Sequence, residues 1–297
     1  MRLLSFNTGG DARYGIVDAS GLGVIDLTHR IDGVSDLSDL LAQQRVDDAH
    51  QFAHLAADYL LDSITYDRLL PTPGKIFCIG VNYGGRSAEY EDKSDAAYPS
   101  VFPRFAHGFT GHEQAVIRPP ESEQLDYEGE IVVVIGKAGR RIPEANARDH
   151  IAGLSLGNEG TIRDWVRHAK FNVTQGKNWE NSGSMGPWLV TLDQFDSFEQ
   201  LHLTTHVNGE LRQDDTPATM KYSIEYQIHY LSTFNTLMPG DVIYSGTPVG
   251  AGARFDPPVW LEPGDVIEVA VPEIGVLRNY VADEFPQGSD YKTPEPK

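Results

Sequence analysis

The run Asp126-Tyr127-Glu128-Gly129-Glu130-Ile131-Val132-Val133-Val134-Ile135 sets two carboxylates at a spacing that can do chemistry. Successive side chains on a strand alternate between faces, so Glu128, Glu130, Val132 and Val134 share one face. A carboxylate on an apolar face is unfavourable unless it is paired or ligates a cation. A hard divalent ion bound through oxygen satisfies both glutamates. The alternative is that this end of the strand projects into water and the pair is solvated. Glu159 has glycines nearby on either side (Gly157 and Gly160), so a bent connection could complete the same oxygen site; read alone, it is a surface residue. Three carboxylates, with no cysteine beside them and no His-x-x-x-His helix, favour Mg²⁺ or Mn²⁺, with Ca²⁺ as a third choice, over Zn²⁺.

Other motifs carry less. Asn82-Tyr83-Gly84-Gly85-Arg86-Ser87-Ala88-Glu89 follows an apolar run directly and reads as a functional loop or an ordinary turn. Gly176-Lys177 lacks the phosphate-loop spacing, and Gly246 to Gly252 lacks G-x-G-x-x-G, so no nucleotide site is expected. Ser182-Gly183-Ser184 is not a nucleophile elbow, because Ser182 stands where the first glycine belongs. Cys78 sits in an apolar stretch and reads as core. The ten histidines form no metal-ligand spacing, although His107 and His112 flank the Phe109 to Gly111 loop and could serve as a base.

These residues need a scaffold, and 297 residues suffice for a sizeable core. The apolar fraction of 40% and charged fraction of 23% are those of a soluble globular protein. A net charge of -19 argues against nucleic acid or an anionic membrane as partner, and means that an anionic substrate must be drawn in by local Arg or Lys. A single cysteine, no signal-like N-terminus and no transmembrane-length apolar run lead to an expected cytoplasmic location.

The elements read as follows. Short strands are expected at Arg2 to Phe6, Tyr14 to Val17 and Gly23 to Leu27, and helical spacing is expected between 35 and 70, including Tyr59 and Leu60. Pro71-Thr72-Pro73-Gly74 marks a boundary, giving a small N-terminal module over 1–70, a main domain over 71–285 and a mobile tail over 286–297. Asn208-Gly209 signals a tight hairpin, and the repeated Pro-Gly-Asp-Val-Ile at Pro239 and Pro263 signals type II turns feeding strands. Helices are expected at Ala145 to His150, Thr161 to His168 and Ser223 to Ser232. Strands interrupted by isolated helices, without β-α alternation, point to an α+β fold.

Taken in order, five segments resemble the fumarylacetoacetate hydrolase family: Lys75 to Glu89, Asp126 to Glu130 with its apolar run, Asn158 to Asp164, Gly176-Lys177 through Trp188, and Val207-Asn208-Gly209-Glu210 through Pro248. Gly275 to Asn279 closes the match. The resemblance implies a β-rich sandwich rolled around a central site, a homodimer or homotetramer, and Mg²⁺ or Mn²⁺. By position it implies Glu128, Glu130 and Glu159 as metal ligands, Glu159 standing where the family usually has aspartate. It implies Lys177 as the group polarising a substrate carbonyl, and Arg163 and Thr247 near the substrate, with Arg104 where many relatives have lysine. The family's His-x-x-Glu pair is replaced by Arg86-Ser87-Ala88-Glu89, and arginine cannot act as a base. Glu89 is then the expected base, with Arg86, Arg104 and Arg163 holding anionic groups. The implied reaction is hydrolysis of a carbon-carbon bond in a 2,4-dioxo, acylpyruvate-type acid. Decarboxylation, isomerisation or hydration of an oxo acid is the alternative, and a non-catalytic oxo-acid binding protein a third.

Overall fold

The structure, a computed structural model, describes residues 1–85, 97–285, 289 and 291. The strand Gly129–Ile135 lies near its centre, buried along its whole length. Alternation splits its side chains between two cores. Ile131, Val133 and Ile135 face one cluster with Leu154, Leu156, Val269 and Leu277. Val132 and Val134 face another with Cys78, Met185, Leu189 and Tyr244. A strand covered on both faces loses the polar alternation of a half-exposed one, which is why its sequence is a continuous apolar run after Glu130.

Among the described residues, twelve strands form one mixed sheet, and five strands form a second. In the first, Gly129–Ile135 pairs antiparallel with Ile151–Asn158 on one side and Val242–Tyr244 on the other. The second sheet contributes Leu203, Val269, Val271 and Leu277 to the core between the sheets, and the helix Ile224–Phe234 adds Ile224, Ile228 and Leu231. This sandwich with few helices is the α+β, β-rich architecture expected.

Residues 1–70, expected to form a module, supply the outer strands of that same twelve-stranded sheet. Arg2–Thr8 pairs antiparallel with Gly183–Thr191, aligning Leu3 with Leu189. The helix Leu37–Ala42 packs Leu37, Leu40 and Leu41 inward and is capped by Asp36, whose side chain accepts from the Asp39 N–H at 2.9 Å. Tyr59 and Leu60, expected on a helix, instead form a two-residue strand that covers the edge of Gly23–Asp26. The helix expected over Thr161 to His168 begins as a strand, Thr161–Ile162, because Leu125–Asp126 takes up its backbone groups; a 3₁₀ turn follows at Asp164–Arg167. Ala145 to His150 is likewise 3₁₀, within Glu144–His150. Asn208 and Gly209 both adopt positive φ and close the expected hairpin. No helix among the described residues is long and apolar enough to cross a membrane.

Candidate metal centre

The antiparallel register aligns Gly129 with Asn158, which puts Glu128 and Glu159 side by side although they stand 31 positions apart in the sequence. The backbone seals the junction: the Glu159 N–H donates to the Glu128 carbonyl at 2.7 Å, and the Glu128 N–H donates to Asn158 Oδ1 at 2.9 Å. Glu130 follows on the same strand, and its Oε2 accepts from the Gly246 N–H at 2.7 Å. Gly246 holds φ +105°, and a Cβ there would lie 2.7 Å from the Asn82 Cβ, so the approach needs glycine.

All three glutamates are buried, and one ligand oxygen from each lies within 4.8 Å of the others. The solvated alternative for this pair is thereby set aside. Burial, then the neighbouring Glu159 and Glu128, pushes the Glu130 carboxyl well above the usual carboxylate range. Glu159 Oε1, also buried, has no hydrogen-bond partner. Three converging carboxylates, one with an unpartnered oxygen, need positive charge, and an all-oxygen donor set suits a hard divalent ion. The residues present fit that ion.

Two cations already touch the cluster. Lys177 closes the short helix Val173–Lys177, which Asn172 caps through the Thr174 N–H. Its Nζ lies 2.5 Å from Glu128 Oε2 and 3.2 Å from Glu159 Oε2. Burial works to lower the Lys177 pKa, but the Glu128 and Glu159 carboxylates outweigh it and leave it raised. Gly176 lets this helix dock, since a Cβ there would meet the Val166 Cγ2 at 2.3 Å. Arg163 reaches from the other side, with Nε 2.7 Å from Asp126 Oδ2 and Nη2 2.8 Å from Glu128 Oε1.

These groups form the buried end of a cleft of about 1090 Å³. Thr247 lines it as well, donating to the Gly129 carbonyl at 2.9 Å and accepting from Gln213 Nε2 at 2.8 Å. Arg104 does not line the cleft. It lies fully buried behind Glu159 and bonds Gly160, Gly108 and Ser182, so it has no surface to offer a substrate. Arg86 and Glu89 lie outside the described residues. His107 and His112 are also away from the cleft: His107 stacks on Phe105, and His112 accepts from the Arg278 N–H and meets Tyr66 edge-on. Cys78 is a buried free thiol, as its apolar surroundings suggested.

Several functional neighbours are invisible in the motifs. Asp126 adjoins the glutamates and orients Arg163, while also accepting from the Gly252 and Ala253 N–H groups. Its place at the head of the same run was the available signal. Gln213 bridges the Gly129 N–H, Thr247 and Pro248 from the second sheet. Lys221 and Arg254 line the cleft from distant segments, with no local signature.

The comparisons agree with this geometry. Residues 75–282 match the family model described as fumarylacetoacetate (FAA) hydrolase C-terminal. Oxaloacetate tautomerase YisK of Bacillus subtilis (strain 168) is 40% identical over 227 residues, covering 75% of each chain. The fumarylacetoacetate hydrolase of psychrophilic Exiguobacterium antarcticum superposes with a TM-score of 0.85 at 31% identity, covering 96% of this chain and 100% of that one. Maleylpyruvate hydrolase from Sphingobium sp. SYK-6, in complex with manganese(II) and pyruvate, superposes at 0.78 with 25% identity, covering 95% and 99%. The chain belongs to the fumarylacetoacetate hydrolase family.

Proposed function

We propose that this protein is a metal-dependent enzyme that interconverts the keto and enol forms of a small 2-oxo dicarboxylic acid of the oxaloacetate kind. The observation that carries the reading is the cleft's charge inventory: none of the ten histidines lines it. Apart from the three glutamates, its described charged groups are Arg163, Arg167, Lys170, Lys177, Lys221 and Arg254. Such a set stabilises an enolate and binds carboxylates, which is what interconverting the keto and enol forms of an oxo diacid asks of a cleft. The likeness to an oxaloacetate tautomerase supports the same reading.

Glu128, Glu130 and Glu159 would hold the divalent ion, Mg²⁺ or Mn²⁺, whose Lewis acidity polarises an oxo oxygen. Lys177 Nζ, kept protonated by its two carboxylate neighbours, holds a proton at the oxygen of the reacting carbonyl. Arg163, pinned by Asp126 and Glu128, supplies fixed positive charge beside the substrate carboxylate. Thr247 acts as a wall, since its proton is committed to the Gly129 carbonyl. Lys221 and Arg254 receive the second carboxylate. Glu89 is our candidate for the group that moves the carbon-bound proton.

A second reading, hydrolysis of a 2,4-dioxo acid, is favoured by the likeness to maleylpyruvate hydrolase. Following the ultraviolet absorbance of enol oxaloacetate with Mn²⁺-loaded protein separates the two. The tautomerase reading expects faster decay to the uncatalysed endpoint with no loss of oxo acid. An unchanged decay rate, together with cleavage of a 2,4-dioxo acid into two acids, would replace it with the hydrolase reading.

A further inference from the structure

Arg104 ends the strand Ser100–Arg104 in a dry socket, its side chain 0% exposed. The guanidinium donates to the carbonyls of Gly160 at 3.1 Å and Gly108 at 3.3 Å, and to Ser182 Oγ at 3.1 Å. It stacks 4.2 Å from the centroid of the Phe109 ring. A Cβ on Gly183 or Gly108 would lie 3.2 Å from its terminal nitrogens, so the socket is shaped for the planar fork. Arginine cannot discharge by losing a proton, and a buried permanent charge needs a counter-charge. Among the described residues the only carboxylate within ion-pair range is that of Glu159, at 4.0 Å from Nη1 to Oε1. That distance is too long for a hydrogen bond, and Oε1 has no other partner. The guanidinium therefore supplies charge without occupying the oxygen's lone pairs, which remain available to an ion.

We propose that Arg104 is a positioning residue of the metal centre, acting through Glu159 by placing a fixed positive charge beside that carboxylate while leaving its Oε1 unbonded and open to an ion. It touches neither the cleft nor a substrate. The inference rests on the metal reading of the three glutamates and is independent of which oxo-acid reaction the centre performs.

The test is Mn²⁺ affinity, measured by calorimetry on the full chain as wild type, Arg104→Met, Glu159→Gln and the double variant. Arg104→Met should weaken Mn²⁺ binding by about 10-fold or more in the wild-type background. In the Glu159→Gln background the same change should cost less than about 2-fold, because the residue through which it acts is gone. Arg104→Lys, which restores the charge, should recover part of the loss. Equal losses in both backgrounds would reduce Arg104 to a packing residue, and no loss or a gain in affinity would overturn the proposal outright. Should Arg104→Met fail to fold by circular dichroism, Ser182→Ala removes one of the three bonds to the guanidinium more gently. It should weaken Mn²⁺ binding about 3-fold, and only when Glu159 is present; an equal effect without Glu159 overturns the idea. Wild-type protein that binds no Mn²⁺ removes the metal centre and this role together, a result distinct from a wild type that binds and an Arg104→Met that binds as well.

Discussion

The two ends of the cleft are built differently. At the buried end each charged group is held by backbone register or by a second side chain: Glu128 and Glu159 across paired strands, Glu130 by Gly246, Arg163 by Asp126. At the exposed end the walls are irregular. Lys170 holds a positive φ of 104°, which side chains rarely adopt, and Phe171 is 69% exposed, with Arg167 over its ring. Strands fix atoms to within fractions of an ångström, whereas loops tolerate change. In the function we propose, the buried end carries the chemistry and the exposed end receives the rest of the substrate.

The comparison breaks if both ends respond alike to mutation. Lys177→Met, at the buried end, should lower turnover by about 10²- to 10⁴-fold in the enol absorbance assay, with a much smaller change in KM. A loss confined to KM would move Lys177 from chemistry to binding.

A stability effect away from both ends is next in size. His112 is half-buried, and that burial, then Arg278, lowers its pKa from 6.5 to about 4. The folded state therefore keeps this ring neutral while the unfolded chain protonates it. The favourable contribution is fully present above about pH 6.5 and is lost as pH falls toward 4, by up to about 3 kcal/mol. Denaturant titrations should show the gap between wild type and His112→Asn narrowing across that window; a constant gap would mean that the ring titrates normally.

At the exposed end, Lys221→Ala or Arg254→Ala should raise KM for oxaloacetate by about 10-fold and leave turnover within about 2-fold. A matching fall in turnover would show that the exposed end takes part in the chemistry. The smallest effect is expected at Asp36→Ala, which removes a helix cap far from the cleft. It should lower stability by about 1 kcal/mol and leave kinetics unchanged.

Much of the buried end was legible. Period-2 alternation placed Glu130 with Val132 and Val134, and the structure keeps them on one face. The hairpin at Asn208-Gly209 was legible because its turn chemistry is local. Tyr59-Leu60 and Thr161-Ile162 misled because each is a two-residue strand whose pairing partner is remote, so local spacing does not report it. Arg104 misled for a related reason. A charge pattern shows that cations are needed but not which ones reach the cleft, and this one turned inward behind Glu159.

By itself the sequence determined the family, the strand that carries Glu130 and starts directly after Glu128, and the oxygen-rich character of the site, because alternation, turns and residue chemistry act over a few neighbours. Only the tertiary structure decided that Asp126 fastens Arg163 and that no histidine lines the cleft, and it brought Glu159, already expected from the sequence, beside the other two glutamates. Those facts depend on which strands pair and on what is left dry between them, and pairing across 31 residues or more is set by the whole fold.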